Sequence, residues 1–325
     1  MTVTRSAILS VGAYLPERVM TNAELSELVD TSDEWIVART GIRERRIAGE
    51  TELTSDLAVK AAESALSRAQ LSAADLDAII VATSTPDQTF PATATRVQAQ
   101  LGAFGAYAFD QQAVCSGFVF GVATADALIA SGRARTILVI GAETFSRLLD
   151  WKDRGTCVLF GDGAGAIVMQ AVAGDGSSAD RGVLAVDLNT DGRLIDLLYV
   201  DGGPGSTGLV GKLRMEGREV FRHAVTNLAA TATAVMARAE VAASDVDWII
   251  PHQANVRILD GTAKKLGVPK ERVVVTLDRH GNTSAASIPL ALCDAVDDGR
   301  IKPGHLLLME AMGGGMTWGA ALARW

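Results

Sequence analysis

The sequence predicts an α/β protein of two related halves, residues 1–172 and 173–325, forming two stacked sheets with helices between and outside them. Three observations predict it: the chain repeats itself, its strand-like runs are apolar without polar alternation, and those runs alternate with helical patterns. The repeat is clearest between Leu66–Ile80 (LSRAQLSAADLDAII) and Met236–Ile250 (MARAEVAASDVDWII), 170 positions apart. There Arg68 meets Arg238, Asp75 meets Asp245, and Asp77 meets Asp247. Two fainter echoes follow in the same order, 127–143 with 294–313 and 160–169 with 318–325. A period this long makes each copy a whole supersecondary layer rather than a solenoid repeat.

In chain order, MTVTRSAILSVGAYLPERV reads as a first strand and turn, since Gly and Pro interrupt its apolar run too early for a secretion signal. Residues 54–69 carry Leu57, Ala61, Ala65, Leu66 and Ala69 at helical spacing, with Thr54 or Ser55 expected as the cap. A two-aspartate turn leads to the strand 78–84, and its counterpart leads to 248–252. Tyr107–Phe109 is a short strand running into a turn at Cys115 and an apolar helix. Apolar strands are expected at 136–143 and 305–312, with Cys157 in a strand-like run and Cys293 in a helix. Catalysis in open α/β sheets sits beyond the carboxyl ends of the strands.

With 325 residues, 48% of them hydrophobic, the chain has material for a large core. A net charge of −8 argues against a general nucleic-acid binder, which needs a basic footprint. Three scattered cysteines make neither a disulfide framework nor a thiolate zinc site. No apolar stretch approaches the roughly 20 residues of a membrane span. The expectation is a cytoplasmic protein without a membrane or nucleic-acid partner.

Cys115 would stand at a helix N-terminus, where partial positive charge favours thiolate. His252 ends the strand WIIP, and Asn282 lies in a glycine turn (RHGNTSAASIP) that the repeat sets at about the place of Cys115. The plainer readings are a buried structural cysteine, a satisfied histidine and a turn residue. His280 falls in a charged turn, and His223 and His305 read as ordinary helix and loop residues. The GGGMTWGAAL run (313–322) exposes backbone N–H groups suited to an oxyanion hole. GDGAGA (161–166) lacks dinucleotide-binding spacing, and GPGSTG (203–208) has no lysine for a phosphate loop.

With these residues in place the sequence closely resembles the β-ketoacyl-acyl carrier protein synthase III family, the initiating condensing enzymes of bacterial fatty acid synthesis. The resemblance spans the chain and rests on TSDEWIVARTGIRERR (31–46), AVCSGF (113–118), DRGTCVLFGDGAGA (153–166), PHQANVRI (251–258), GNTSAASIP (281–289) and EAMGGGMTWGAAL (310–322). It implies the thiolase fold, a five-layer αβαβα arrangement of duplicated halves. It also implies acyl transfer from acyl-CoA to Cys115, then decarboxylative condensation with malonyl-acyl carrier protein. His252 and Asn282 would stabilise the enolate, and the N–H groups of Cys115 and Gly314 the tetrahedral oxyanion. No metal or redox cofactor is implied.

At matching positions, Trp35 and Arg154 would sandwich the CoA adenine, with Arg39 near its phosphates and Asn255 near the pantetheine arm. Phe90 matches the residue that crosses a homodimer interface into the partner's acyl pocket. Arg257, Lys264, Lys265 and Arg222 would meet the acidic carrier protein, although a solvated helix face reads equally well there. Met312 and Met316 stand where the family commonly has Phe, which bears on primer preference. Gln111–Gln112 is also more polar than the pattern.

A degradative thiolase would need a second cysteine near the GGG loop, and elongating synthases use a second histidine in place of Asn282. Relatives of secondary metabolism with longer or branched primers stay open. From other classes, the order Cys, His, Asn also suits a papain-like hydrolase, and a silent ligand-binding relative is a further alternative.

Overall fold

The computed structural model describes residues 2–325. The first half opens with β1 (Val3–Tyr14), then β2 (Arg18–Thr21), α1 (Asn22–Leu28), α2 (Asp33–Thr40) and β3 (Glu44–Ile47), with β2 and β3 paired as a ribbon. Its layered part is α3 (Thr54–Ala69), β4 (Ala78–Ala82), α4 (Thr93–Leu101), β5 (Tyr107–Gln111), α5 (Gly117–Ala130), β6 (Thr136–Glu143) and β7 (Gly163–Gly174). The second half runs β8 (Gly182–Thr190), β9 (Leu198–Val200), β10 (Leu213–Met215), α6 (Gly217–Arg238), β11 (Trp248–Pro251), α7 (Val256–Leu266), α8 (Leu277–His280), α9 (Ser287–Asp297), β12 (Leu306–Gly313) and β13 (Thr317–Arg324).

The sheets have the orders β1-β7-β6-β4-β5 and β11-β12-β13-β8. Pairings of β4 with β5 and β6, and of β11 with β12, are parallel. Successive strand residues point to opposite faces, so neighbours enter different cores. Ile80, Ile137 and Val139 face inward onto α5 and α9, among Phe118, Val119, Ile288 and Leu292. Ile79, Val81, Leu138 and Ile140 face outward onto α3, among Leu57 and Ala61. In the second sheet, Ile249, Leu306 and Leu308 face outward toward Val235 and Leu259 of α6 and α7. The result is five layers, α–β–α–β–α. Each fully buried aliphatic or aromatic side chain contributes about 1.5–3 kcal/mol, so strands covered on both faces read as continuous apolar runs.

The repeat survives in backbone detail. Gln70 and Glu240, 170 positions apart, both take positive φ (56° and 55°) to end α3 and α6. Asp77 accepts the N–H groups of Arg135 and Thr136 (2.7 and 3.0 Å), and Asp247 accepts that of Leu306 (2.7 Å). Each aspartate thus ties the start of one strand to its parallel neighbour. The outer pair, Asp75 and Asp245, close the preceding turns by accepting from Ser72 and Ala242.

Some sequence expectations are corrected. Thr54 and Ser55 do not cap α3: Asp56 accepts the Leu53 N–H (2.8 Å), while the Thr54 hydroxyl donates to the Thr85 carbonyl. Cys157 lies in turns rather than a strand, because the Asp153 carboxylate gathers Gly155 and Thr156 into a bend. The second sheet has no counterpart of β5; a single parallel bridge, Ile249 to Val273, takes its place. His280, in its charged segment DRHGN, closes the short helix α8 and is buried, with Nε2 3.6 Å from Asp294.

Candidate active site

Two short turns related by the repeat meet at the centre. Val114–Ser116 joins β5 to α5, and Ser284–Ala286 leads into α9. Val114 and Ser284 both have φ of +49°, a strained conformation for a β-branched residue and an unusual one for serine. The turns approach because two backbone positions carry no side chain. A Cβ on Gly141 would lie 2.2 Å from the Ala285 carbonyl oxygen, and one on Gly313 would lie 2.6 Å from the Cys115 nitrogen. The end of β12 is thereby pressed against the Cys115 backbone. Hydroxyls of Ser116 and Thr317 (2.7 Å apart) lock the turn to the hairpin through the Ala113 carbonyl.

Cys115 is buried in this turn. The expectation of a stabilised thiolate is corrected: burial pushes the thiol up to about 12, and the nearby Glu143 carboxylate adds to that push. His252 follows β11, its N–H donating to the Glu310 carbonyl (2.8 Å). Burial pulls its pKa down to about 3, so the imidazole is neutral near pH 7 and donates one N–H. Its Nδ1 has no partner. Asn282 is pinned at both backbone groups, to Leu159 O (2.9 Å) and Gly161 N (3.0 Å). Its Oδ1 accepts the Ser284 N–H (2.9 Å), which turns the amide NH₂ outward as a donor.

Cys115, His252 and Asn282 line one cavity of about 630 Å³ with Leu198, Phe160 and Met312. Trp35, Arg39, Asn255 and Arg257 line its more exposed part. The guanidinium groups of Arg39 and Arg154 lie 4.7 and 4.9 Å from the Trp35 ring centroid, and Arg154 also donates to Asp30 O. An aromatic ring between Trp35 and Arg154 needs about 7 Å, two contact distances of about 3.5 Å. The present spacing is too narrow to admit such a ring. Asn255 caps α7 by accepting the Arg257 N–H and donates to Arg39 O (3.1 Å), which joins α7 to α2.

The remaining sequence-predicted residues lie elsewhere. Lys264 and Lys265 are exposed on the last turn of α7, and Arg222 on α6 pairs with Glu219. Gly314 packs onto the Leu198 carbonyl beside the cavity, and Met316 lies in the apolar cluster around Met312. Phe90 is 81% exposed, outside the cavity of its own chain. A second cavity of about 690 Å³ lies against Val114, Leu198 and the 84–89 loop just before Phe90.

Sequence reasoning missed four residues. The buried Gln253 donates to Pro251 O and Val274 O and accepts from the N–H groups of Thr276 and Leu277, stapling the His252 strand to the segment that reaches Asn282. Glu143, Ser284 and Glu310 were also missed, each buried next to the two turns or the strand end. The only available signal was a carboxylate inside an apolar strand, as in TILVIGAE and LLLMEAM. Among the described residues no group of three or more His, Cys, Asp or Glu could hold a metal ion, and no helix is long and apolar enough to cross a membrane.

Comparison with known proteins places the chain in a family. The models for 3-oxoacyl-[acyl-carrier-protein (ACP)] synthase III match residues 109–192, and for its C-terminal region residues 236–325. The β-ketoacyl-[acyl-carrier-protein] synthase III of Paramagnetospirillum magneticum is 63% identical over 99% of both chains. The crystal structure of 3-oxoacyl-[acyl-carrier-protein] synthase III from Aquifex aeolicus superimposes with a TM-score of 0.92 at 50% identity, covering 98% of this chain and 100% of that one. The priming β-ketosynthase of the R1128 polyketide pathway has the same TM-score, 0.92, at 34% identity, covering 98% and 96%. The expected thiolase fold is thus the observed one, and the papain-like alternative is excluded. This chain belongs to the β-ketoacyl-acyl carrier protein synthase III family, acyl-transferring condensing enzymes that initiate fatty acid synthesis.

Proposed function

We propose that the chain moves a short acyl group from acyl-CoA onto Cys115 and condenses it with malonyl-acyl carrier protein to give 3-ketoacyl-acyl carrier protein. The observation that carries this is a single cavity lined by a buried thiol, a neutral imidazole and an outward-turned amide. Loss of CO₂ from the malonyl group leaves an enolate whose oxygen needs donors that will not protonate the carbanion. A neutral His252 N–H and the Asn282 NH₂ are such donors, and burial strengthens both. The carbanion then attacks the acyl-cysteine, with the N–H groups of Cys115 and Gly314 receiving the new oxyanion. Decarboxylation drives the step, so its chemistry calls on no metal or redox group.

In the same reading the CoA adenine enters beside Trp35 after displacing Arg154, with Arg39 near the phosphates and Asn255 near the pantetheine. Arg257, Lys264, Lys265 and Arg222 receive the carrier protein. Phe90, exposed on its loop, completes the second cavity of a partner subunit in a cytoplasmic homodimer. Identity of 63% to a fatty acid enzyme against 34% to a polyketide-priming one favours fatty acid synthesis over secondary metabolism.

The test is incubation with acetyl-CoA followed by peptide mass spectrometry. One acetyl group is expected on the Cys115 peptide and none on those of Cys157 or Cys293, which are equally buried and serve as controls. Acetylation elsewhere, or nowhere, removes the proposal.

A further inference from the structure

Asn282 owes its place to neighbours that are themselves held by one side chain. Its N–H donates to Leu159 O (2.9 Å) and its carbonyl accepts the Gly161 N–H (3.0 Å), so its amide is fixed no better than the 158–161 segment behind it. Arg45, on β3, is wholly buried against that segment. Its stem fills space that glycine leaves free. A Cβ on Gly161 would lie 2.9 Å from Arg45 Cβ, and one on Gly281, the residue before Asn282, 3.0 Å. The Arg45 Nη2 donates to Val158 O (2.8 Å), and Val158 lines the cavity that holds Cys115.

The other arm of the guanidinium reaches a different part of the chain. Nη1 donates to Met20 O on β2 (3.2 Å) and to Asn22 Oδ1 at the start of α1 (2.8 Å). Asn22 Nδ2 in turn donates to Ile42 O and to the Asp33 carboxylate, both at 2.8 Å. Asp33 is the first residue of α2, the helix that carries Trp35 and Arg39. A continuous line of polar contacts therefore runs from Asp33 through Asn22 and Arg45 to Val158, one residue from the carbonyl that pins Asn282.

A cation makes a costly filler here. The guanidinium is bonded only to neutral oxygens, and its Nε has no partner. Burial lowers its pKa to about 10, which leaves it charged near pH 7. A buried charge with no carboxylate bonded to it is unfavourable, and an apolar side chain of similar length would fill the space without that cost. What arginine adds is a rigid planar fork that fixes oxygens from separate segments at set distances and angles. Asn282 needs such precision, because its NH₂ must meet a charge that develops only during the reaction.

We propose that Arg45 is a positioning residue that holds Asn282 in place for the decarboxylative step and links its turn to α2. This rests on Asn282 being a donor to the enolate. His252 hangs on β11 and the Glu310 carbonyl, outside the contacts of Arg45. Acetylation of Cys115, which does not call on Asn282, is therefore spared when Arg45 is altered.

The experiment separates the two half-reactions in the full chain. Acetylation by acetyl-CoA is followed by rapid quench and mass spectrometry, and condensation of the acetylated enzyme with malonyl-acyl carrier protein by the mass of the product. Arg45→Lys keeps the charge and loses the fork. Its condensation rate per acetylated Cys115 should fall about 10-fold or more, the scale of a small misplacement of a catalytic group. Its acetylation rate at saturating acetyl-CoA should stay within about twofold. Rates counted per acetylated site exclude any contribution from unfolded protein.

A double variant distinguishes positioning from general stabilisation. Added to Asn282→Ala, Arg45→Lys should lower condensation by less than about twofold further, because the group it positions is already gone. Equal losses in the two half-reactions, the same loss with and without Asn282, or an unchanged condensation rate each overturn the proposal. Should Arg45→Lys fail to fold, Asn22→Ser, which removes the acceptor of Nη1, goes through the same cycle and is judged by the same outcomes. Condensation unaffected by Asn282→Ala alone would remove the donor reading of Asn282 itself, whereas a loss there without coupling to Arg45 removes only the positioning role.

Discussion

The two central turns share a backbone conformation and carry different side chains. At positions 170 apart, Val114 and Ser284 hold the same φ of +49°. Beyond that the side chains differ in a consistent way. Cys115 stands opposite Ala285, His252 opposite Ala82, Glu143 opposite Gly313 and Met312 opposite Ala142. At these four pairs one half projects a functional or bulky group where the other holds a small residue, whereas Asn282 stands opposite Gln112 and Glu310 opposite Ile140. The packing explains the asymmetry: Gly313 and Ala285 sit directly against the Cys115 backbone and β6, where a second large side chain has no space. The two halves supply equivalent frames, and different groups from each line one cavity.

That comparison can be broken by making the halves alike. The largest effect belongs to Cys115→Ala, which copies Ala285: product formation, followed by mass spectrometry of the carrier protein, should fall by about 10⁴-fold or more, as when a nucleophile is deleted. The fold should persist, since alanine already occupies the equivalent turn. Next comes His252→Ala, which copies Ala82. Condensation should drop about 10²–10³-fold, the scale of losing one oxyanion donor, while acetyl-CoA still labels Cys115. Equal loss in both half-reactions would contradict the donor role assigned to His252.

A pH-dependent effect is expected at Glu310, whose equivalent in the first half is the wholly apolar Ile140. Burial raises the Glu310 carboxyl from 4.5 to about 8. The folded protein therefore holds a proton that the unfolded chain releases, and the associated stability is present below about 4.5 and lost as pH rises through about 8. Glu310→Gln cannot titrate. Its thermal stability relative to the unmodified protein should improve by up to a few kcal/mol between those limits, and denaturation scans at several pH values would reveal it. A constant difference across pH would mean that Glu310 is not buried with its proton.

The smallest effect is at Met312, beside Cys115 and opposite Ala142. Met312→Ala should shift the preferred acyl-CoA toward longer chains by about 10-fold in relative kcat/KM, the scale of a methylene in an apolar pocket. An unchanged ranking across acyl-CoAs of increasing length would assign chain selection to the second cavity.

Much of this was legible in the chain because the repeat, the apolar strands and the two-aspartate turns are local patterns. Asp77 and Asp247 act within one strand pair, so their spacing alone foretold their equivalence. That Cys115, His252 and Asn282 would line one cavity was legible because each lies at a strand end or in a turn that leads into a helix. Glu143, Ser284 and Gln253 were not, because a buried polar residue in an apolar run has meaning only through partners distant in sequence. Gln253 looks like a neighbour of His252 until its four hydrogen bonds reach from β11 to residues 274–277.

By itself, then, the sequence determined the layers, the duplication and which side chains could carry chemistry, since periodicity and spacing report on segments a few residues long. Only the tertiary structure decided their electrical state: that the helix-terminal thiol is not a ready thiolate, that the imidazole is neutral, and that two carboxyls hold their protons toward neutrality. Removal from water sets those states, and burial is a property of both halves closed around one centre rather than of any stretch of chain.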